Sequence, residues 1–291
     1  MSTIRLENGY VLTMEPGAEV IESGVVVTEG PKLTYAGSAA GAPETPGATV
    51  VDCANCAVLP GLINAHTHVS MTLLRGFADD MRLEPWLTEK IWPTEMKLTG
   101  EDVYWGAMLG ICEMLRGGVT CFSDMYHFYR DAARAAVDGG IRACPSGVLL
   151  GFLPNAEEMV REARDFVAET LATAHPRLHP MFGPHAPYTC PDAMLEQVAE
   201  YAEELGVPVH IHLAETSTEV QDSLEEHGKT PVERLEMLGL FRLRVCAPHC
   251  VHLAEHDIEI LASQQVGIAH CPGSNLKLAS GFAPLSRLLR S

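Results

Sequence analysis

Two histidines one residue apart, His66 and His68, close the apolar run Leu59-Pro60-Gly61-Leu62-Ile63-Asn64-Ala65. In a β-strand, side chains at i and i+2 share a face, so both imidazoles can meet at one point. That is half the ligand set of a first-row metal, usually Zn²⁺. The spacing recurs in His210-Ile211-His212, followed by Leu213-Ala214-Glu215. His212 lies nearer the strand's end and is the candidate third ligand. His210 sits one layer lower and reads as a buried, hydrogen-bonded core histidine. Three neutral imidazoles leave positions open for water and a carboxylate, and a bound ion lets water ionise near neutrality. Glu215 is placed to shuttle protons to a leaving group, and His249 to orient or polarise the water.

Positioning these groups requires strands that end together. Apolar strands are predicted at 57–65, 119–123, 141–149, 178–183, 207–213, 244–249 and 266–270. Helices fall between them, at 155–174, 191–205, 231–238 and 255–264. The clearest begins at Thr99, an N-cap with Asp102 three residues on. It carries Val103, Ala107, Ile111, Met114 and Leu115 on one stripe and stops at Gly117-Gly118. Alternating β and α with near-continuous apolar strands specifies a parallel sheet covered by helices. Seven strands over this length approach the eight-stranded (β/α)8 TIM-like barrel, whose reactive residues sit at the C-terminal strand ends. Here the strand ends carry His66/His68, Asp124, His185, His212 with Glu215, His249 and His270. A doubly wound sheet is the runner-up, but no G-x-G-x-x-G follows a strand.

Residues 1–56 read differently. Short β-prone runs (Tyr10–Met14, Val25–Thr28, Lys32–Tyr35) alternate with the turns Asn8-Gly9, Ser23-Gly24 and Glu29-Gly30-Pro31. A Gly, Ala and Pro-rich stretch, Ser38–Thr49, follows. The expectation is a small antiparallel β module ahead of a barrel unit at 57–291.

The chain has 291 residues, 47% of them hydrophobic, and a formal net charge of −18. Such acidity argues against a nucleic-acid partner, which needs clustered Lys and Arg. No apolar stretch approaches the ~20 residues of a spanning helix, and the first residues lack a signal-peptide pattern. With nine cysteines and no export signal, reduced thiols in the cytoplasm are expected. Cys112, Cys121, Cys144 and Cys246 read as core filler. The single Cys53-Ala54-Asn55-Cys56 lacks the second pair a metal knuckle needs.

The run Pro60–His68 resembles the first-strand signature of the amidohydrolase superfamily. Met71-Thr72-Leu73-Leu74-Arg75-Gly76, Trp86 and Trp92-Pro93-Thr94-Glu95 narrow the match, as do Gly183-Pro184-His185-Ala186-Pro187-Tyr188 and His212–Thr216. With His249–Leu253 and His270–Leu278, these motifs resemble the 5′-methylthioadenosine/S-adenosylhomocysteine deaminases and the related aminohydrolases and chlorohydrolases of triazines. The resemblance implies that His66, His68 and His212 hold one Zn²⁺ (or Fe²⁺) per chain and that His249 contacts the attacking water. It implies that Glu215 protonates the ring nitrogen, His185 holds the substrate, Glu95 binds ribose hydroxyls and Trp86 lines the thioether side. The expected reaction is hydrolytic deamination of an aminated purine nucleoside, a small-molecule substrate. The H-x-E…P-C-x-x-C deaminase pattern and H-E-x-x-H are both absent.

Two departures qualify the substrate and the site. Family members using S-adenosylhomocysteine often carry an arginine where this chain has Ser146, with Arg161 as a possible substitute. The family's fourth ligand is an aspartate ending strand eight, whereas the sequence reaches Ser291 within the helix expected before that strand. The expectation is therefore a barrel of strands one to seven, with residues 1–56 as part of a composite β-sandwich. Its open edges would invite association, including homo-oligomers. Asp124, on strand two, reads as a carboxylate orienting a ligand histidine. The alternatives are hydrolysis of another N-heterocycle, such as a triazine, guanine or cytosine, and an inactive metal-binding fragment.

Overall fold

Pro60-Gly61 divides what reads in sequence as one strand. In the computed structural model, which describes residues 2–291, β5 (Ala57–Val58) ends before this pair and β6 (Leu62–Thr67) begins after it. A proline has no N–H to give a ladder, so the pairing changes there. The chain forms two compact units, Met1–Leu62 and Ile63–Ser291.

The first unit is one mixed sheet. β1 (Thr3–Val11), β2 (Ile21–Glu29) and β3 (Lys32–Ser38) pair antiparallel, as expected. β4 (Thr49–Asp52) and β5, however, both join β1 in parallel, giving the order β3-β2-β1-β4. The wholly antiparallel reading is thus corrected. Parallel pairing needs a return crossing rather than a tight turn, and the Gly/Ala/Pro stretch before Thr49 supplies it. Cys53 and Cys56 lie in the turn between β4 and β5, where the Cys56 N–H donates to the Cys53 carbonyl at 2.9 Å.

In the second unit, β6, β7 (Val119–Tyr126), β8 (Arg142–Leu149) and β9 (Gly183–Pro184) lie in sequential order. β10 (Val209–His210), β11 (Val245–Pro248) and β12 (Gly267–Ala269) form a second parallel run. A parallel bridge between Phe182 and Val209 joins the two, so seven strands make one curled parallel sheet. The expected helices lie outside it at Gly100–Arg116, Ala156–Thr173, Asp192–Leu205, Pro231–Met237 and Glu255–Ser263. Phe182, Val209, Ile211 and Leu213 pack with Val160, Val167, Leu195 and Val198 of the covering helices in a continuous core.

The helix Gly100–Arg116 starts on a full capping box. The Asp102 N–H donates to Thr99 Oγ1, and the Thr99 N–H donates to Asp102 Oδ2 at 2.8 Å. Val103, Ala107 and Ile111 are buried, whereas Leu115 is 42% exposed because the stripe rotates out of the core at the last turn. Cys112 lies off that stripe and is exposed, not core filler, and Cys121, Cys144 and Cys246 are only half-buried. No helix among the described residues is long and apolar enough to cross a membrane.

Candidate metal centre

His66 lies in β6, and His68 follows it, with ring centroids 4.9 Å apart. His212 lies just beyond β10, where its N–H donates to the His185 carbonyl at 3.0 Å. One ligand atom from each of His66, His68 and His212 falls within 4.8 Å of the others.

The hydrogen bonds behind these rings decide which nitrogen faces the centre. His68 Nδ1 lies 2.6 Å from the Met125 carbonyl and His212 Nδ1 2.7 Å from the His185 carbonyl. A carbonyl only accepts, so both Nδ1 atoms carry the proton and both Nε2 lone pairs are free. His66 Nδ1 lies 2.9 Å from His210 Nε2, whose Nδ1 lies 3.2 Å from Ser123 Oγ. A proton on His66 Nδ1, donated to His210, leaves His66 Nε2 free as well. Burial, reinforced by neighbouring imidazoles, holds His66 and His212 well below the usual histidine pKa. Three neutral imidazoles with free Nε2 atoms are the donor set that Zn²⁺ takes in an open site. The residues therefore fit the ion.

His249 follows β11 in a left-handed conformation, φ 75°, and Cys250 comes next at φ 46°. Non-glycine residues rarely hold such angles, which cost about 1–3 kcal/mol each. Here the His249 N–H donates to the Ala269 carbonyl at 3.0 Å and the Cys250 N–H to Leu213 at 3.0 Å, fixing the turn. His249 Nδ1 donates to Asn275 Oδ1 at 2.8 Å, leaving Nε2 free. Burial depresses its pKa to about 4.

Glu215 is buried, with Oε1 3.5 Å from His249 Nδ1 and within 3.4 Å of the Ser280 hydroxyl, which donates to it. Burial raises its carboxyl to about 7, opposed by that hydrogen bond. It can therefore both take and give a proton near neutrality. Its backbone is clamped by Glu219, whose two carboxylate oxygens accept the N–H groups of Ala214 and Glu215, each at 2.8 Å. Ala214, at φ 49°, makes the turn that this clamp holds.

His66, His68, His212, Glu215, His249, His185 and Trp86 line one cavity of about 360 Å³. His185 is held by Thr189 Oγ1, 3.0 Å from Nδ1, and burial depresses its pKa to about 3. The Trp86 indole N–H donates to the Ala78 carbonyl at 3.1 Å. Glu95 stands apart, in an adjoining recess of about 50 Å³ shared with His68, Trp86, Tyr126 and His127. There Glu95 Oε2 lies 3.7 Å from His127 Nε2. A groove of about 780 Å³ shares Leu83, Leu87, Tyr188 and Leu278 with the cavity and includes Arg82.

Three side chains stand differently from the sequence expectation. Asp124 orients no histidine ring; its Oδ1 accepts the Val69 N–H at 2.7 Å and lies 2.9 Å from Thr67 Oγ1, gripping the chain on both sides of His68. Ser146 is buried and donates to the Asp124 carbonyl at 2.8 Å, so it does not face the cavity. Arg161 is exposed, 3.8 Å from Glu157 on its own helix. Glu219 is absent from the sequence reading, although Thr216-x-x-Glu219 has the form of a capping box, and Cys271 and Asn275 enter it only within the motif His270–Leu278, without a role.

A curled parallel sheet with a histidine centre at its strand ends defines a metal-dependent hydrolase type of site. The chain belongs to the amidohydrolase family, whose pattern matches residues 57–291. Two 5-methylthioadenosine/S-adenosylhomocysteine deaminases, from Syntrophomonas wolfei and Symbiobacterium thermophilum, are each 47% identical to it. The alignments cover 99% and 100% of this chain and 67% of each relative. A zinc-bound adenosine deaminase structure from Xanthomonas campestris superposes with a TM-score of 0.92 at 39% identity, over 99% of this chain and 67% of that one. The zinc complex of atrazine chlorohydrolase from Arthrobacter aurescens TC1, at 22% identity, shares the fold with a TM-score of 0.88 over 99% of this chain and 69% of that one.

Proposed function

We propose that the site serves hydrolytic deamination of an adenine-type nucleoside, with 5′-methylthioadenosine or S-adenosylhomocysteine as the substrate. The observation that carries this reading is the pairing of three free Nε2 atoms with a buried carboxyl whose pKa is raised to about 7. The relatives' printed activities support the choice of ring.

His66, His68 and His212 would hold one Zn²⁺, which supplies Lewis acidity that makes water a nucleophile at neutral pH. Ionised Glu215 accepts a proton as water attacks the carbon bearing the amino group. It then delivers that proton to the adjacent ring nitrogen. His249, with Nε2 free and Nδ1 fixed by Asn275, orients the attacking oxygen. The hydroxyl proton left on the attacking oxygen then passes to the amino group as the C–N bond breaks, and ammonia leaves with the ring carbonyl formed behind it. Neutral His185 and the Trp86 face hold the base and its substituent, and Glu95 meets the ribose hydroxyls from its recess. Arg82, along the adjoining groove, is the cation available to an acidic tail. Nine cysteines in a chain of this length suit a reducing compartment, the cytoplasm.

The test is ammonia release by the zinc-loaded protein from 5′-methylthioadenosine and S-adenosylhomocysteine, with ammonia release from guanine and chloride release from a chlorotriazine as comparators and bound zinc quantified. Release that is fastest from the two nucleosides is expected. Preference for guanine or the triazine overturns the choice of ring. One zinc per chain without release from any substrate favours the second reading, a metal-holding chain without turnover. That reading draws on the donors that gather here, which are imidazoles and a thiol rather than a carboxylate.

A further inference from the structure

His66 belongs to two ligand clusters. Besides the three-imidazole set, one ligand atom from each of His66, His249 and Cys271 falls within 4.8 Å of the others. Ligands of one tetrahedral zinc-like ion stand roughly 3.3–3.7 Å apart, given bond lengths of about 2.0–2.3 Å. This second cluster therefore lies close to coordinating distance.

The cluster is also held in place. Cys271 leads into the helix Pro272–Lys277, and its carbonyl accepts the Asn275 N–H at 2.9 Å. The Asn275 side chain turns back to accept from His249 Nδ1 at 2.8 Å, which aims His249 Nε2 outward. The Cys271 thiol donates to the Ala269 carbonyl at 3.3 Å, and that same carbonyl accepts the His249 N–H at 3.0 Å. One short turn thus sets both the thiol and the imidazole.

With His66 Nδ1 committed to His210, only Nε2 remains to serve either cluster. A thiolate with two imidazoles suits soft cations better than three imidazoles do. We propose that His66, His249 and Cys271 form a second, thiolate-bearing position for a soft divalent cation of the cadmium type, competing with the three-imidazole position for His66. Cys271 releases its proton to solvent as the sulfur–metal bond forms, while the two imidazoles give lone pairs and no proton. An ion held there occupies His249 Nε2, the atom that the deaminase reading assigns to the attacking oxygen.

Titration of the metal-free chain with Cd²⁺, followed by the sulfur-to-cadmium charge-transfer band in the near ultraviolet, tests this directly. The band is expected to saturate, to shift to higher Cd²⁺ when Zn²⁺ is already bound, and to be lost or largely lost in C271S and H249A. H68A, outside the cluster, is expected to keep it, with far-ultraviolet dichroism showing that each variant is folded. A C271S band as strong as wild type assigns the signal to other cysteines and overturns the proposal. So does a band indifferent to H249A, or the absence of any band in wild type. These readouts require no turnover, so they stand or fall separately from the deaminase reading.

Discussion

At the residue scale, the site depends on side chains whose second polar atom is already committed. The Nδ1 atoms of His68, His212 and His249 each point at a fixed oxygen, so each ring has one orientation and one free nitrogen. Glu215 differs, because long contacts with Ser280 and His249 hold its carboxyl while Glu219 holds its backbone. That division permits proton transfer without loss of position. Glu215→Gln keeps the shape and removes the proton carrier, so kcat is expected to fall by about 10²–10⁴-fold with zinc content unchanged. Steady-state ammonia release and metal analysis check both halves. A fall in zinc of the same order would make Glu215 a structural support of the centre instead.

At the scale of elements, the helix Gly100–Arg116 fixes the segment that follows His68. Ser70 Oγ donates to the Val103 carbonyl at 2.8 Å and Thr72 Oγ1 to the Gly106 carbonyl at 2.6 Å. Gly106 permits this approach, since a Cβ there would lie 2.6 Å from the Ser70 carbonyl oxygen. Helix propensity alone would make Gly106→Ala stabilising by up to about 1 kcal/mol. The close backbone reverses the sign, and a loss of about 1–3 kcal/mol is expected in denaturant unfolding, with weaker zinc binding as His68 shifts. A stabilised variant would show that the segment yields freely. Elements with a strong apolar period were legible in sequence, this helix and the strand Arg142–Leu149 among them, whereas the run read as one strand at 57–65 divides at Pro60-Gly61. Tyr129–Gly139 was not, because its buried face is Ala132, Ala133, Ala135 and Ala136, which carry little pattern. Ser217–His227 was missed because it buries Glu219 and Ser223 in place of an apolar stripe. The histidines that gather at the candidate centre were readable from i, i+2 spacing. Glu219 and Asn275 act on backbone or rings brought near only by the fold, so spacing gives no account of them.

At the scale of the whole molecule, the buried ionisable groups of the centre set opposing pH dependences. His185 and His210 are depressed to about 3 and His249 to about 4, with His66 and His212 also well below normal, all chiefly through burial. For these groups the unfolded chain binds more protons below about pH 6.5, so stability falls as pH drops from there toward their folded values. Glu215 and Glu219 are raised to about 7 and Asp124 to about 6, again through burial. Their folded state holds protons that the unfolded chain has lost, so stability falls as pH rises from about 4 or 4.5 through those values. The imidazoles outnumber the carboxyls, so the stability of the metal-free chain is expected to rise from about pH 5 to about pH 7 and to change little from there to pH 8. Glu219→Gln should lower stability at every pH but steepen that rise, because one of the raised carboxyls that oppose it is gone. Zinc adds to that rise. It needs unprotonated imidazoles, and an ion at 100 times its Kd adds about 2.7 kcal/mol. Thermal melts with chelator and with Zn²⁺ at pH 5, 6, 7 and 8 should show a stabilisation that grows with pH. Equal stabilisation at pH 5 and pH 8 would count against an imidazole-bound ion, since protons would then not compete for its ligands.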